Sequence, residues 1–181
     1  LGLKDALTKA VAAEGYENPT PIQQKAIPDI IAGRDMLGCA QTGTGKTLAY
    51  LLPVLKTWKF NKNGSPTVLV LVPTRELVVQ VAEVLEKLTE ETSARVLGVY
   101  GGVNINTQKL LVYEGVDILV GTPGRVMDLM KDAVLNLKDL KKLIIDEFDE
   151  MLSLGFRRQL EDIFTMMSER RQNILFSATM T

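Results

Sequence analysis

Six short apolar runs restrict the fold of this chain more than anything else in it: Met36 to Cys39, Val68 to Val72, Val96 to Val99, Ile118 to Val120, Leu143 to Ile145 and Ile174 to Phe176. They are apolar throughout and do not alternate with polar residues, the pattern of parallel strands buried by helices on both faces. The longer segments between them have helical period. Leu77, Val81, Leu85 and Leu88 fall on one helical face, as do Leu160, Ile163, Phe164 and Met167, each with a charged outer side. The expected architecture is α/β, a mostly parallel sheet with helices on both faces. Asn61 to Pro66 reads as a surface turn and not as a linker, so residues 1–181 are expected to form a single domain. The start at Leu1 and not at Met suggests a piece of a longer protein.

Composition excludes several chemistries. The chain has no His and a single Cys, Cys39. A Ser-His-Asp triad, a Cys-His pair, a His base and a His-containing metal site are therefore ruled out, and acid–base work falls to carboxylates, Lys, Tyr or water. One Cys forms neither an intramolecular disulfide nor a multi-cysteine zinc site, which suits a reducing compartment such as the cytoplasm. Cys39 lies among apolar residues and is expected to be buried. The longest near-apolar stretch, Leu48 to Leu55, falls far short of the roughly 20 residues of a membrane span. A net charge of -1 gives no overall attraction for a polyanion, so any such binding must come from local Arg, Lys and backbone N–H groups.

The most specific local signal is Ala40, Gln41, Thr42, Gly43, Thr44, Gly45, Lys46 and Thr47, between the first apolar run and a helical stretch. It has P-loop spacing, with Ala40 at the position usually held by Gly. Gly43 and Gly45 let the backbone turn successive N–H groups toward a phosphate, and the helix beginning near Lys46 adds the positive end of its dipole. Lys46 would reach the β and γ phosphates of ATP, and the Thr47 hydroxyl would hold Mg2+. A Gly-rich turn with a solvated Lys is the plainer alternative. A second signal is the apolar run Leu143 to Ile145 ending in Asp146, Glu147 and, one residue on, Asp149. At the carboxyl end of a parallel strand Asp146 can face the P-loop and take Mg2+, and Glu147 can accept a proton from an attacking water. An acidic helix N-terminus accounts for part of Asp149 and Glu150 without any catalysis.

With these two sites, the order of further short motifs resembles the DEAD-box ATP-dependent RNA helicases, and specifically the first of their two RecA-like domains. The resemblance runs from Gly15-Tyr16-Glu17-Asn18-Pro19-Thr20-Pro21-Ile22-Gln23 through Pro73-Thr74-Arg75-Glu76-Leu77, Gly101-Gly102, Thr122-Pro123-Gly124-Arg125 and Asp146-Glu147-Phe148-Asp149 to Ser177-Ala178-Thr179. It implies a RecA-like P-loop fold and Mg2+-dependent ATP hydrolysis coupled to RNA binding and local duplex separation. Tyr16 and Gln23 then join the nucleotide site, with Gln23 at the adenine edge. Pro73, Thr74, Arg75, Gly101, Gly102, Thr122, Pro123, Gly124 and Arg125 line an RNA-backbone groove, and Asp149, Ser177 and Thr179 couple the two sites.

From spacing alone, Thr20 to Gln23 is a capping box, Gly101-Gly102 a tight turn and Thr122-Pro123 a helix cap. Arg75 and Arg125 follow strand carboxyl ends, where phosphate contact is expected of both. Two residues depart from the family pattern: Phe148 stands where Ala is usual, and Val78 likewise replaces Ala. The resemblance further implies a second RecA-like domain elsewhere in the full-length chain that supplies arginine fingers, and the piece itself is expected to be monomeric. A small-molecule phosphotransferase and a non-hydrolytic, nucleotide-switched RNA clamp are the competing readings.

Overall fold

The computed structural model describes residues 20–40 and 45–178. In chain order its elements are α1 (Pro21–Ile31), β1 (Met36–Cys39), α2 (Lys46–Thr57), β2 (Val68–Leu71), α3 (Arg75–Leu88), β3 (Val96–Val99), α4 (Ile105–Glu114), β4 (Ile118–Gly121), α5 (Pro123–Lys131), β5 (Lys142–Ile145), α6 (Phe148–Ser153), α7 (Arg157–Thr165) and β6 (Gln172–Ser177). Among the described residues the six strands make one sheet in the order β1-β6-β5-β2-β4-β3, and every neighbouring pair is parallel. Each expected apolar run is a strand, within a residue or two at its ends.

Strand periodicity explains why the runs had to be apolar at every position. Val68 and Val70 of β2, with Ile118, Val120, Ile144, Ile174 and Phe176, face a core built with α1, α2 and α3. Leu69 and Leu71, with Leu119, Leu143 and Ile145, face the opposite core, closed by α4 to α7. Successive residues of one strand thus enter different cores, and a polar residue at either parity would lie against a helix. The expected helical faces pack accordingly: Val81, Leu85 and Leu88 are buried in the first core, and Leu160, Ile163 and Met167 in the second.

β6 begins two residues before its apolar run because its polar start is internally satisfied. Gln172 pairs with Lys142 of β5 in register. Its side-chain amide donates to the carbonyls of Ile30 and Arg34, at 3.2 and 2.6 Å, and its Oε1 accepts from Lys142 Nζ at 2.7 Å. Cys39 is a correction: it is exposed, not buried. Its neighbours in sequence are apolar, but β1 is the outermost described strand, and Leu37, two residues before it on the same side, is also 57% exposed. The Cys39 thiol donates to the Ala178 carbonyl at 3.6 Å. Among the described residues no helix is long and apolar enough to cross a membrane.

One buried acid holds two strand starts together. Asp117, 1% exposed, accepts from the backbone N–H of Arg95 at 2.6 Å and from the Arg95 Nε and Nη2 at 3.1 and 3.2 Å. Its own carbonyl accepts from Thr67 and Val68, so β2, β3 and β4 all start from this residue. Removing the carboxylate leaves the Arg95 backbone donor without its acceptor, while the Arg95 side chain, 40% exposed, can turn to water. Asp117→Ala is expected to cost about 2 kcal/mol, the scale for losing a hydrogen bond to a charged group. Equilibrium urea unfolding checks this, and Asp117→Asn, which keeps an acceptor, is expected to lose less.

Candidate functional site

Because all six strands run the same way and are aligned in register, their carboxyl ends form one edge of the sheet. Cys39 sits opposite Ser177, and Leu71 sits opposite both Ile145 and Gly121. Every motif singled out above follows one of these ends or caps a helix beside them. Tyr16, Gln41, Thr42, Gly43, Thr44 and Thr179 lie outside the described residues.

The P-loop is described at its two ends. Ala40 is buried, and its N–H continues the β1–β6 pairing by donating to the Ser177 carbonyl at 3.1 Å. Gly45 precedes α2 with φ 79°, in the left-handed region, and a Cβ there would sit 2.7 Å from Thr20 Oγ1 and 2.8 Å from Gln23 Nε2. Both conformation and space therefore require glycine. Gln23 forms the capping box read from its spacing. Its Oε1 accepts from Thr20 N–H at 2.9 Å and its backbone N–H donates to Thr20 Oγ1 at 3.4 Å. The same side chain also reaches the P-loop, donating from Nε2 to the Gly45 carbonyl at 3.2 Å. An amide has two donors and two acceptor sites, so one of each remains for a ligand.

Lys46 is not a solvated lysine. Its side chain is 5% exposed, and the ammonium lies 2.8 Å from Asp146 Oδ1 and 3.5 Å from Glu147 Oε1. Asp146 is placed by β5: its N–H donates to the Leu71 carbonyl at 3.0 Å, extending the β2–β5 pairing. Its second oxygen, Oδ2, accepts from the hydroxyl of the fully buried Tyr50 at 3.0 Å. The Thr47 hydroxyl bonds to the same phenol. Burial raises the Asp146 carboxyl above its ordinary range and outweighs the lowering by Lys46 and Tyr50. Burial, and then the Asp146 charge, raises the Tyr50 phenol well above its ordinary value, so Tyr50 remains a donor. Glu147 takes φ 57° at the start of α6, an uncommon conformation for a residue with a side chain.

The donor set fits Mg2+. Lys46 is near Asp146 Oδ1 but out of line for a hydrogen bond, so this buried oxygen has no aligned donor. Thr47 offers a hydroxyl one residue after Lys46. No group of three or more His, Cys, Asp or Glu exists among the described residues. Mg2+ needs none, since it is held through one or two carboxylates with phosphates and waters.

Beyond the acids, Asp149 Oδ1 accepts from the Ala178 N–H at 3.4 Å, and Ser177 is buried beside it at the end of β6. Phe148 is partly buried and packs against the second core. Thr74 caps α3 by accepting from Leu77 N–H at 3.3 Å, with Pro73 buried before it. Arg75 is exposed and stacks 4.9 Å above the Tyr100 ring centroid. Gly101 and Gly102 form an exposed turn after β3. Thr122 and Pro123 open α5, whose cap has no side-chain hydrogen bond, and Gly124 has open space around its Cα.

Arg125 departs from expectation. It is 9% exposed and donates inward, from Nη1 to Gln108 Oε1 at 2.8 Å and from Nη2 to the Val103 carbonyl at 3.0 Å. Its planar fork meets two oxygens inside the protein through the two Nη groups, while the buried Nε has no hydrogen-bond partner. Two site residues were not visible beforehand. Tyr50 lies one turn after Lys46 on the same helix, a spacing that could have raised it, whereas Gln108 carries no signal at all.

Tyr50→Phe tests the acid cluster. It removes a hydrogen bond to a charged, buried oxygen and is expected to cost about 2 kcal/mol in urea unfolding at neutral pH. It should also raise the Asp146 carboxyl further, read by a carbon-13 titration of the carboxyl. The folded value lies above the unfolded one, so this group favours folding fully below the unfolded value and loses that contribution as pH rises through the folded value. The loss should come at higher pH in the variant.

The chain is similar to known proteins over nearly its whole length. The DEAD/DEAH box helicase family model matches residues 20–181. A protein of Bacillus cereus named DEAD-box ATP-dependent RNA helicase CshA is 44% identical over 180 residues, which cover 99% of this chain and 34% of that protein. The ATP-dependent RNA helicase DeaD of Escherichia coli is 45% identical over 181 residues, with 99% of this chain and 29% of that one covered. The crystal structure of a DEAD box protein from the hyperthermophile Methanococcus jannaschii superposes with a TM-score of 0.94 at 37% identity, over 100% of this chain and 49% of that one. The chain spans about a third of the length of these curated relatives. The sheet is therefore RecA-like, and by the family model and relatives alike the chain belongs to the DEAD-box helicase family.

Proposed function

We propose that this chain is the N-terminal RecA-like, ATP-binding domain of a DEAD-box RNA helicase, hydrolysing the β–γ bond of ATP in a full-length protein that couples the reaction to RNA binding and local strand separation. The observation that carries this is the buried Lys46 ammonium set between Asp146 and Glu147. A cation so placed can exchange carboxylate partners for phosphate oxygens when nucleotide enters. Ala40 through Thr47 cradle the phosphates, Lys46 neutralises the β and γ oxygens, and Gln23 reads the adenine edge, with Tyr16 beside it. Asp146 and Thr47 would hold Mg2+, which would supply further positive charge on the phosphates. Glu147 orients the attacking water and accepts its proton. Its bent start of α6 turns it beside Asp146 at the strand end.

The RNA side of the same edge comprises Pro73, Thr74, Arg75, Gly101, Gly102, Thr122, Pro123 and Gly124. These residues offer helix N-termini, an exposed guanidinium and a glycine turn, all of which suit phosphate and not base edges. Asp149, Ser177 and Thr179 link the nucleotide and RNA sides through the end of β6. A second RecA-like domain in the full-length protein completes the cleft, the chain alone is monomeric, and the protein works in the cytoplasm.

Calorimetry with ATP and GTP tests the nucleotide reading. ATP should bind in preference to GTP, Lys46→Ala should lose at least about ten-fold in ATP affinity, and Gln23→Ala should mainly lose the discrimination. Equal affinity for both nucleotides in the parent would overturn the Gln23 assignment.

Steady-state phosphate release tests the catalytic reading. A supplied arginine finger is worth roughly 10³ to 10⁵ in rate, and Arg170 and Arg171 lie before β6, at the far end of the sheet. Residues 1–181 should bind nucleotide yet turn over slowly even with RNA, and the full-length protein should show RNA-stimulated turnover. There Glu147→Gln should abolish hydrolysis while sparing ATP binding. Full RNA-stimulated turnover from residues 1–181 alone would contradict this placement of the transition-state charge.

A further inference from the structure

We infer that Gln108 and Arg125 form a buried strut that fixes the Gly101–Gly102 turn for an RNA phosphate, which makes Arg125 a positioning residue and not a phosphate ligand; this rests on the reading of the strand-end edge as an RNA-backbone groove. The turn cannot hold itself. A Cβ on either glycine would meet nothing within 4 Å, so no packing contact restrains it from the side-chain direction. Its flanking residues supply the restraint through their carbonyls. Gln108 Nε2 donates to the Tyr100 carbonyl at 3.2 Å, and Arg125 Nη2 donates to the Val103 carbonyl at 3.0 Å. Arg125 Nη1 closes the circuit on Gln108 Oε1 at 2.8 Å. The turn is thus gripped on both sides by two side chains that also grip each other.

Burial makes the grip firm. Gln108 is 6% and Arg125 9% exposed; the bond between them is buried and charge-assisted, and those to the Tyr100 and Val103 carbonyls are part-buried. Asp128 lies 3.9 Å from the Arg125 Nε, too far for a hydrogen bond, so the two Nη groups carry the guanidinium's inward bonds. To reach a phosphate, the guanidinium would have to leave two acceptors, the buried Gln108 oxygen and the Val103 carbonyl, without their donor. Arg75 differs on every count. It is exposed and stacks on the Tyr100 ring. Both arginines therefore bear on the same turn, Arg125 through the Val103 carbonyl and Arg75 through the ring of the flanking Tyr100.

The experiment uses the full-length protein with the substitutions Arg125→Met, Gln108→Met and both together, and Arg75→Ala as reference. Without RNA, amide hydrogen exchange over residues 101–104 should quicken about ten-fold or more in either variant. With a single-stranded uridine homopolymer, affinity should fall about ten-fold at every salt concentration while the slope of log affinity against log salt stays at the parent value. The double variant should be no weaker than the weaker single one, because both break one circuit. Arg75→Ala should flatten the slope by about 0.7, the signature of one lost phosphate contact on a single strand. Arg125→Lys guards against misfolding of the methionine variant: it keeps the charge but not the fork, and should lose RNA affinity like the others. Unchanged exchange, a flattened slope in Arg125→Met, or full affinity in Arg125→Lys would each overturn the strut. Failure of the parent to bind the homopolymer would fault the groove itself, and the exchange result would still decide the strut.

Discussion

An ammonium and a carboxylate taken out of water together lose several kcal/mol of hydration each, and only close geometry and further hydrogen bonds make their burial tolerable. The Lys46–Asp146 pair meets that condition through three different parts of the fold. The β5 backbone fixes Asp146 in the sheet pairing, Tyr50 satisfies its second oxygen, and Glu147 stands as a second anion for Lys46. Satisfaction is still incomplete, because Asp146 Oδ1 lacks an aligned donor. The Asp146 carboxyl remains raised, so burial outweighs its partners. A site in this condition gains most from a ligand that brings its own charges, since phosphate can take the ammonium and a cation can take the oxygen.

The parallel sheet makes this arrangement possible. Each βα connection returns a helix N-terminus to the same edge, and the register sets Cys39 beside Ser177 and Ile145 beside Leu175, two residues earlier on β6. P-loop, acid cluster and the Ser-Ala-Thr segment are then neighbours through three adjacent strands, although some 140 residues of chain separate the first from the last. Tyr50 ties the first core to the acids: its ring packs 5.6 Å from that of Phe176, and its hydroxyl ends on Asp146. Repacking of that core is therefore felt at the site.

What the sequence revealed and what it concealed follow from the range of each interaction. Strands were legible because burial on both faces imposes a local rule, an apolar residue at every position. Gly45, Lys46 and Asp146 were legible because their backbone angles or their place after a strand are local too. Gln23 was legible twice over, since its capping box is local while its bond to Gly45 spans 22 residues and is not. Cys39 was misjudged because membership of an outer strand depends on sheet order, which no run of four residues contains. Asp117 carries no local signal, since its partner Arg95 is 22 residues away in the chain. Phe148 gave warning only of bulk, and its direction is set by the second core.

The two arginines of the strand-end edge sharpen the point. Each follows a Thr at a helix start, Thr74 one residue before Arg75 and Thr122 three residues before Arg125, and local chemistry treats them alike. Position within the first turn separates them. Arg75 is the first residue of α3 and is exposed, whereas Arg125 is the third of α5, a rotation of roughly 200° around the helix from the first position. That rotation turns its side chain toward Gln108 on α4. A helix N-terminus thus presents an open cation or a structural brace according to a shift of two residues. The strand-end edge takes an exposed guanidinium from one motif and a buried brace from the other.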